Sequence, residues 1–383
     1  MWRRWTILIF LTAIILGHKV ALAAMADPQI NGDQTGIVID AESKVVYWQK
    51  NGDQKAYPAS TTKVLTALVV LENCDLDEIV QVSDNAIDSI IGSTLWLEYG
   101  EKKTVEDLLH GLLMVSANDA AVALAEHVSG SVEAFSEKMN EKALSLGATH
   151  SHFVNPHGLH EAQHYSTARD MAIIFSAAMN NPDFIRIANT QSYAMSWHGK
   201  TEDRVIYHAT LQALPYPWVI ANKNGYTDEA GQTLVYGAEK GETRFVAVLM
   251  GCSDIWNEMD RLLIAVRDSL ESTILIERNS ILSFGEQTWK ISDDVEIAHI
   301  GSTKVGENLL IRLEPEQKQI SLLKDEVVLS RGDSLLEENQ VIPWYLQDYI
   351  NWLPLLVIPF WWLYFITFYR VRTRRKSRKG ERP

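Results

Sequence analysis

The segment Tyr57-Pro-Ala-Ser60-Thr-Thr-Lys63-Val-Leu-Thr-Ala-Leu-Val-Val-Leu-Glu72 is apolar nearly all round after its first turn. A surface helix keeps a polar face opposite its apolar stripe. The pattern therefore predicts a helix over 60–72 buried at the centre of a domain. Upstream, 36–40 and 44–48 read as two strands of a hairpin around 41–43. Downstream, helices are expected over 104–115 and 118–128 with a break near Ser116. Another is expected over 132–146, ended by Gly147. Thr167 and Asp170 have capping-box spacing and open a helix running to about Met179. Strand signals return at 232–238 and 243–250, and a last helix is expected over 260–272. Strands early and late with helices between them give an α+β fold: one antiparallel sheet built from both ends, with a helical layer beside it. Residues 273–345 change to short alternating strands, such as 295–300, 308–313 and 319–323, which predicts a separate small all-β domain.

The 383 residues are 46% hydrophobic and 22% charged, and only two are cysteine. That excludes a mainly disordered chain, a polytopic membrane protein and a disulfide scaffold. Cys74 and Cys252 cannot form a Cys-rich zinc site and are expected as free thiols. The net charge of −14 is unevenly spread. Residues 1–26 carry Arg3, Arg4 and Lys19 and no acid, and 370–383 are densely basic, so the body between is more acidic than the total. Such a body offers nucleic acid no basic surface.

The basic ends read as membrane signals. Arg3 and Arg4, an apolar run over 6–16 and Ala-x-Ala sites ending at Ala23 and Ala26 predict a cleaved signal peptide over 1–26. At the other end, 352–369 is uncharged and apolar on every face, which predicts a transmembrane helix over 350–369. Residues 340–350 would link it to the body. The basic tail 370–383 is then cytoplasmic by the positive-inside rule, and the body faces outward at the cell membrane.

Three short motifs carry chemistry. Ser60 and Lys63 stand at i and i+3, on one face of the predicted buried helix. A buried amine beside a hydroxyl can lose its proton and accept the serine's. Helix-start N–H groups can stabilise an oxyanion. Alone the pair is weak, because serine is a common helix cap and Ser321/Lys324 repeat the spacing in a predicted strand. Ser116 and Asn118 lie at the interhelical break, better placed to line a cleft than the rival Ser83-Asp84-Asn85. Lys223 and Gly225 precede the late hairpin. A lysine and a glycine on a strand edge let a peptide lie alongside with its carboxylate facing the cation. Lys304 and Gly306 repeat that spacing too. His157 lies between Pro156 and Gly158, in a turn, and is read as structural; Arg169 and Asp170 are read as ion pair and cap.

Together these motifs resemble the penicillin-recognising serine enzymes. The closer resemblance is to the low-molecular-mass penicillin-binding proteins, the serine D-alanyl-D-alanine carboxypeptidases of peptidase family S11. It is carried by 58–63, 116–120, 155–159, 166–170 and 225–231 and spans roughly residues 35–270. The resemblance implies a penicillin-binding/β-lactamase-like transpeptidase fold over 27–272, followed by the small β domain and membrane anchor. It implies Ser60 as nucleophile, Lys63 as base and Ser116 as proton relay. Asn118, Lys223, Asn224 and Gly225 would bind substrate. The partners would be a peptidoglycan stem peptide ending in D-Ala-D-Ala, β-lactam antibiotics and the membrane, with no metal or cofactor. One departure stands out: the family's Lys-Thr-Gly, preceded by Asp-Gly, reads Ala221-Asn222-Lys223-Asn224-Gly225 here. An amide replaces the hydroxyl expected to bind the substrate carboxylate. The competing reading is a tethered peptidoglycan-binding protein with attenuated turnover. A β-lactamase is disfavoured, because no Glu-x-x-x-Asn element stands between the second and third motifs to activate a deacylating water.

Overall fold

The computed structural model describes residues 34–88, 91–210, 216–276, 281–284, 287–292, 295–300, 309–314, 319–324 and 327–336. The predicted signal peptide, transmembrane helix and basic tail lie outside these residues. Among the described residues no helix is long and apolar enough to cross a membrane.

The chain opens with β1 (Thr35–Asp40) and β2 (Val46–Lys50), then a 3-10 turn at Ala59–Thr62 and α1 (Lys63–Asn73). Next come β3 (Ile79–Gln81), α2 (Asp84–Asp88), β4 (Lys102–Thr104), α3 (Val105–Met114), α4 (Asn118–Ser129) and α5 (Val132–Ser145). They are followed by α6 (Ala168–Ala178), α7 (Pro182–Ala188), β5 (Ser192–Met195) and β6 (Arg204–Tyr207). The late strands are β7 (Val219–Thr227), β8 (Gly231–Lys240) and β9 (Thr243–Cys252), and α8 (Ile255–Ser269) follows. Seven further strands are described: β10 (Leu270–Ile276), β11 (Ile281–Phe284), β12 (Gln287–Ile291), β13 (Val295–Ile300), β14 (Leu309–Glu314), β15 (Gln319–Lys324) and β16 (Val327–Leu336).

The central sheet runs β2-β1-β9-β8-β7 and its pairings are all antiparallel. Both ends of the segment supply it, as the early and late strand signals predict. Successive residues point to opposite faces. Thus Ile37 and Ile39 join one buried cluster with α1, α3, α4 and α6, while Val38, Leu234 and Tyr236 join another under α8. Eight consecutive residues of α1, Lys63 through Val70, are buried, so the helix is enclosed on every side by its neighbours.

Several local expectations need correction. Ser60 lies in the 3-10 turn, and the α-helix starts only at Lys63. The late helix begins at Ile255 rather than 260 and stops at Ser269, where the chain turns into β10. Its start is apolar (Ile255) and buries against the sheet, a tertiary gain that local pattern understates. Thr167 caps α6 by accepting the Asp170 N–H at 3.0 Å. The Asp170 carboxylate does not close the box; it accepts from His150 N–H and Ser151 Oγ, both at 2.7 Å. A reciprocal box exists instead at Thr104 and Asp107, opening α3. Sequence reasoning also missed α7 and the β5–β6 hairpin, whose strands are four residues each. After residue 270 the expected strands are present. β10 pairs with β13, and β11-β12-β16-β15-β14 form a second sheet.

Candidate active site

The site is assembled where the start of α1, the α3–α4 break and edge strand β7 meet. Ala59 takes a φ of 48°, the left-handed region that residues with a Cβ avoid. Surrounding bonds hold it there. The Pro58 carbonyl accepts Thr61 Oγ1 at 2.6 Å and Thr233 Oγ1 of β8 at 2.9 Å. This fastens the turn to the sheet and sets Ser60 immediately before α1.

Lys63, one turn on, is fully buried. Its Nζ donates to Ser60 Oγ at 2.9 Å and to the His157 carbonyl at 2.6 Å. Burial pushes its pKa well below the ordinary lysine value, and the nearby Lys223 charge pushes it further; Asp119 opposes the shift. Both effects favour the uncharged amine, the form that can accept a proton.

The loop 154–159 braces this turn. The Gly158 N–H donates to Asn155 Oδ1 at 2.7 Å, and Thr66 Oγ1 donates to the Pro156 carbonyl at 2.6 Å. Gly158 has φ 85°, and a Cβ there would lie 1.9 Å from the Ala59 carbonyl oxygen, so a side chain is excluded. The His157 ring is not aimed at catalysis. Its Nδ1 accepts the Leu159 N–H at 3.1 Å, and burial lowers its pKa to about 3, leaving it neutral. What it supplies is its backbone carbonyl. His164 is likewise held neutral by burial, with a pKa of about 3. Its Nδ1 accepts the Val154 N–H at 3.2 Å, so Nε2 carries the proton and donates to Thr62 Oγ1 at 2.8 Å.

On the facing wall, Ser116 has φ 62° in the sharp break between α3 and α4. Asn118, the first residue of α4, donates through Nδ2 to the Ile91 carbonyl at 2.7 Å. Its Oδ1 is buried and without a partner among the described residues. Asp119 pins the neighbouring loop: its carboxylate accepts the N–H of Leu95 at 2.8 Å and of Leu97 at 3.1 Å. Burial raises its pKa and these bonds pull it back.

The third wall is β7. Lys223 Nζ donates to Ser116 Oγ at 3.1 Å and to the Asn224 carbonyl at 2.9 Å. Burial lowers its pKa to about 7. Gly225 lies against the nucleophile's turn: a Cβ there would come within 2.5 Å of the Ser60 amide nitrogen and 2.6 Å of Thr233 Oγ1. Only glycine leaves that N–H room to meet a substrate oxygen. Asn222, on the same strand, is buried and accepts from Thr210 Oγ1 at 3.0 Å.

A sequence model of the D-alanyl-D-alanine carboxypeptidase family matches residues 22–254. The chain belongs to this family, peptidase family S11. Among curated proteins it is 37% identical over 226 residues to D-alanyl-D-alanine carboxypeptidase DacF of Bacillus subtilis, covering 57% of each chain. It is 38% identical to DacB2 of Mycobacterium tuberculosis, over 57% of this chain and 74% of that protein. A crystal structure of a D-alanyl-D-alanine carboxypeptidase from M. tuberculosis superposes with a TM-score of 0.56 at 36% identity, covering 60% of this chain and 89% of that one. A Streptomyces K15 DD-transpeptidase variant gives a TM-score of 0.57 at 29% identity, covering 61% and 96%. DacD from Francisella tularensis, at 22% identity, shares the fold over 83% of this chain and 96% of its own, with a TM-score of 0.61.

Of the residues singled out in the sequence, direct contacts join Ser60 to Lys63 and Ser116 to Lys223. The rival Ser83 and Asn85 instead hydrogen-bond the Glu126 side chain, out on α4. Arg169 pairs with Asp53, as an ion pair should. Sequence reasoning missed the His157 carbonyl, Thr233 and Asp119. Only Asp119 left a trace, an acid at the start of an otherwise apolar helix. Cys74 and Cys252 are both free.

Proposed function

We propose that the protein is a serine D-alanyl-D-alanine carboxypeptidase acting on peptidoglycan stem peptides. One observation carries this reading: a buried Lys63 amine, its pKa pushed down by burial, 2.9 Å from a serine hydroxyl at a helix start. Family membership supports the substrate, a peptide ending in D-Ala-D-Ala. The chain spans little more than half the length of DacF, so the activity is inferred from the site as well as the match.

Ser60 Oγ attacks the carbonyl carbon of the penultimate D-alanine while its proton passes to Lys63 Nζ. The His157 carbonyl holds that amine in line. The Ser60 N–H, kept open by Gly225, serves the oxyanion hole. Lys223 and Ser116 carry a proton to the leaving nitrogen, the C–N bond breaks, and D-alanine departs. Water then attacks the acyl-enzyme, its proton passing through Ser116 back to Lys223; the acyl C–O bond breaks as Lys63 returns its proton to Ser60 Oγ, and the shortened peptide leaves as an acid that ionises to solvent. Asn118 Oδ1 accepts a substrate amide N–H, which gives the orphaned oxygen its partner. The peptide lies along β7 with its carboxylate toward Lys223 and Asn224. A β-lactam acylates the same Ser60.

Residues 27–272 form the catalytic domain of this reading and 273–345 a small β domain. The F. tularensis fold likeness supports that division, because it covers a larger share of the chain than the catalytic segment occupies. A signal peptide over 1–26 and a membrane helix over 350–369 would place the enzyme outside the cell membrane, with 370–383 inside. The supporting features are the apolar runs and the basic ends.

The test uses full-length protein in detergent, a fluorescent penicillin and a synthetic D-Ala-D-Ala peptide. Wild type should label covalently and release D-alanine, and Ser60→Ala should do neither. A folded wild type that binds the peptide but forms no adduct would leave the non-hydrolytic binding protein as the better account.

A further inference from the structure

Away from the cleft, three side chains of different chemistry converge. Cys74 is the C-cap of α1, Glu78 lies just before β3, and His127 is in the last turn of α4. The thiol, a carboxylate oxygen and an imidazole nitrogen all lie within 4.8 Å of one another. We propose that Cys74, Glu78 and His127 form a binding site for a zinc-class divalent cation, distinct from the catalytic centre.

The donor set decides the class of ion. Thiolate and imidazole select zinc and its congeners over magnesium or calcium, and a carboxylate completes a three-ligand set with one position left for water. The carboxylate is already oriented. Glu78 Oε1 accepts the Asp75 N–H at 2.7 Å, which turns Oε2 toward His127 Nε2 at 3.0 Å. Two nitrogen or oxygen ligands on tetrahedral zinc stand about 3.3 Å apart, so this pair is near the required spacing. Such a backbone-held ligand is what outer-shell support of a metal site looks like. Cys74 Sγ lies within 4.8 Å of both of these atoms. It is half-buried, while the Glu78 and His127 side chains are 41% and 24% exposed, which leaves an entry path and room for a bound water. Lys138, the neighbouring positive charge, is tied to Asn73 Oδ1 at 3.1 Å. On binding, the thiol proton leaves to solvent, His127 offers the Nε2 lone pair, and its own proton resides on Nδ1. Nothing is oxidised or reduced.

The position gives the site a structural consequence. α1 packs against α4. Ser60 and Lys63 stand at one end of α1, and Asn118 opens α4; Cys74 and His127 close the other ends of the same helices, about 16 Å away along α1. A shared metal would clamp the far ends of the two helices that carry the site.

The experiment is a Co²⁺ titration of the full-length protein in detergent, with any affinity tag removed. The expected result is a saturable thiolate-to-cobalt band at one equivalent, erased by Zn²⁺, absent in Cys74→Ser and weakened at least tenfold in affinity in His127→Gln. Zn²⁺ should raise the melting temperature of wild type by several degrees at a hundredfold excess over Kd. Cys74→Ser should show no such shift while keeping wild-type penicillin labelling, which confirms its fold. No band on wild type, or a band undiminished in Cys74→Ser, would overturn the proposal. Were Cys74→Ser to fail to label, His127→Gln and Glu78→Gln, both at partly exposed positions, decide the question alone: unchanged Co²⁺ affinity in both rejects the site.

Discussion

Two buried lysines each donate to a serine hydroxyl, and they reach it by different routes. Lys63 meets Ser60 within one turn of chain, and a second bond to the His157 carbonyl fixes it. Lys223 meets Ser116 across 107 residues, from an edge strand to an interhelical break. Burial lowers the pKa of both, and a further charge acts on one of them. Lys63 feels the charge of Lys223 in addition to burial and falls well below the ordinary lysine value, while Lys223 falls to about 7 through burial alone. The difference separates their tasks. Lys63, lowered both by burial and by a neighbouring cation, suits proton acceptance. The other can still carry charge near neutrality, and an incoming carboxylate would hold it protonated.

The sharpest way to break this comparison is to remove the first amine. Lys63→Met should lower the β-lactam acylation rate by about 10²–10⁴-fold, the usual range for a general base. Stopped-flow or gel-based labelling kinetics would read it, and a loss under tenfold would mean that Lys223 can serve in its place. Next is Gly225→Ala. Its Cβ must displace the Ser60 N–H or Thr233, and loss of one oxyanion donor costs about 10²–10³-fold in rate. Acylation rates of the folded variant, compared with wild type, would show it.

Asn224→Thr sharpens the strand side of the comparison. Restoring the family's hydroxyl should improve kcat/KM on a D-Ala-D-Ala peptide by up to about tenfold to a hundredfold, the worth of one hydrogen bond to a charged group. An unchanged kcat/KM would show that the Asn224 amide already meets the carboxylate.

The smallest effect is on stability. Lys223 binds its proton less readily in the folded protein (about 7) than in the unfolded chain, whose lysines titrate near 10.4. Between these values the unfolded state holds more protons, so this group's contribution to stability rises with pH, by at most about 1.4 kcal/mol per unit. The stability of wild type relative to Lys223→Met should therefore increase from pH 7 to 10. A flat difference in chemical denaturation would place the Lys223 pKa at its ordinary value.

The two lysine–serine pairs also mark how far sequence reading carries. Ser60/Lys63 was visible because the partners share a turn, and the apolar run behind them announced burial. The β8–β9 hairpin was visible for the same local reason, two apolar, β-branched runs on either side of the polar segment 239–242. Ser116 and Lys223 could be suspected separately, but only topology brings them together. The braces were harder still. The His157 carbonyl and the Ala59 turn depend on backbone geometry that no side chain advertises. Cys74, Glu78 and His127 lie at the ends of separate elements, and their 49-residue span from Glu78 to His127 matches no metal spacing. The β5–β6 hairpin and α7 were too short for periodicity to show. The late helix was misplaced because burial against the sheet, rather than its polar pattern, fixes its start.

The most direct test of the account is the pH dependence of acylation. The second-order rate constant for a β-lactam should be measured from pH 5 to 10 in wild type and Lys223→Arg. With Lys63 pushed well below the ordinary lysine value, acylation should not need high pH: the wild-type rate should be greatest below pH 7 and fall through about pH 7 as Lys223 loses its proton, and Lys223→Arg should carry that decline to far higher pH. A rate that climbs steadily to pH 10 in both proteins would mean that Lys63 keeps an ordinary lysine pKa, and the proposed base would be wrong.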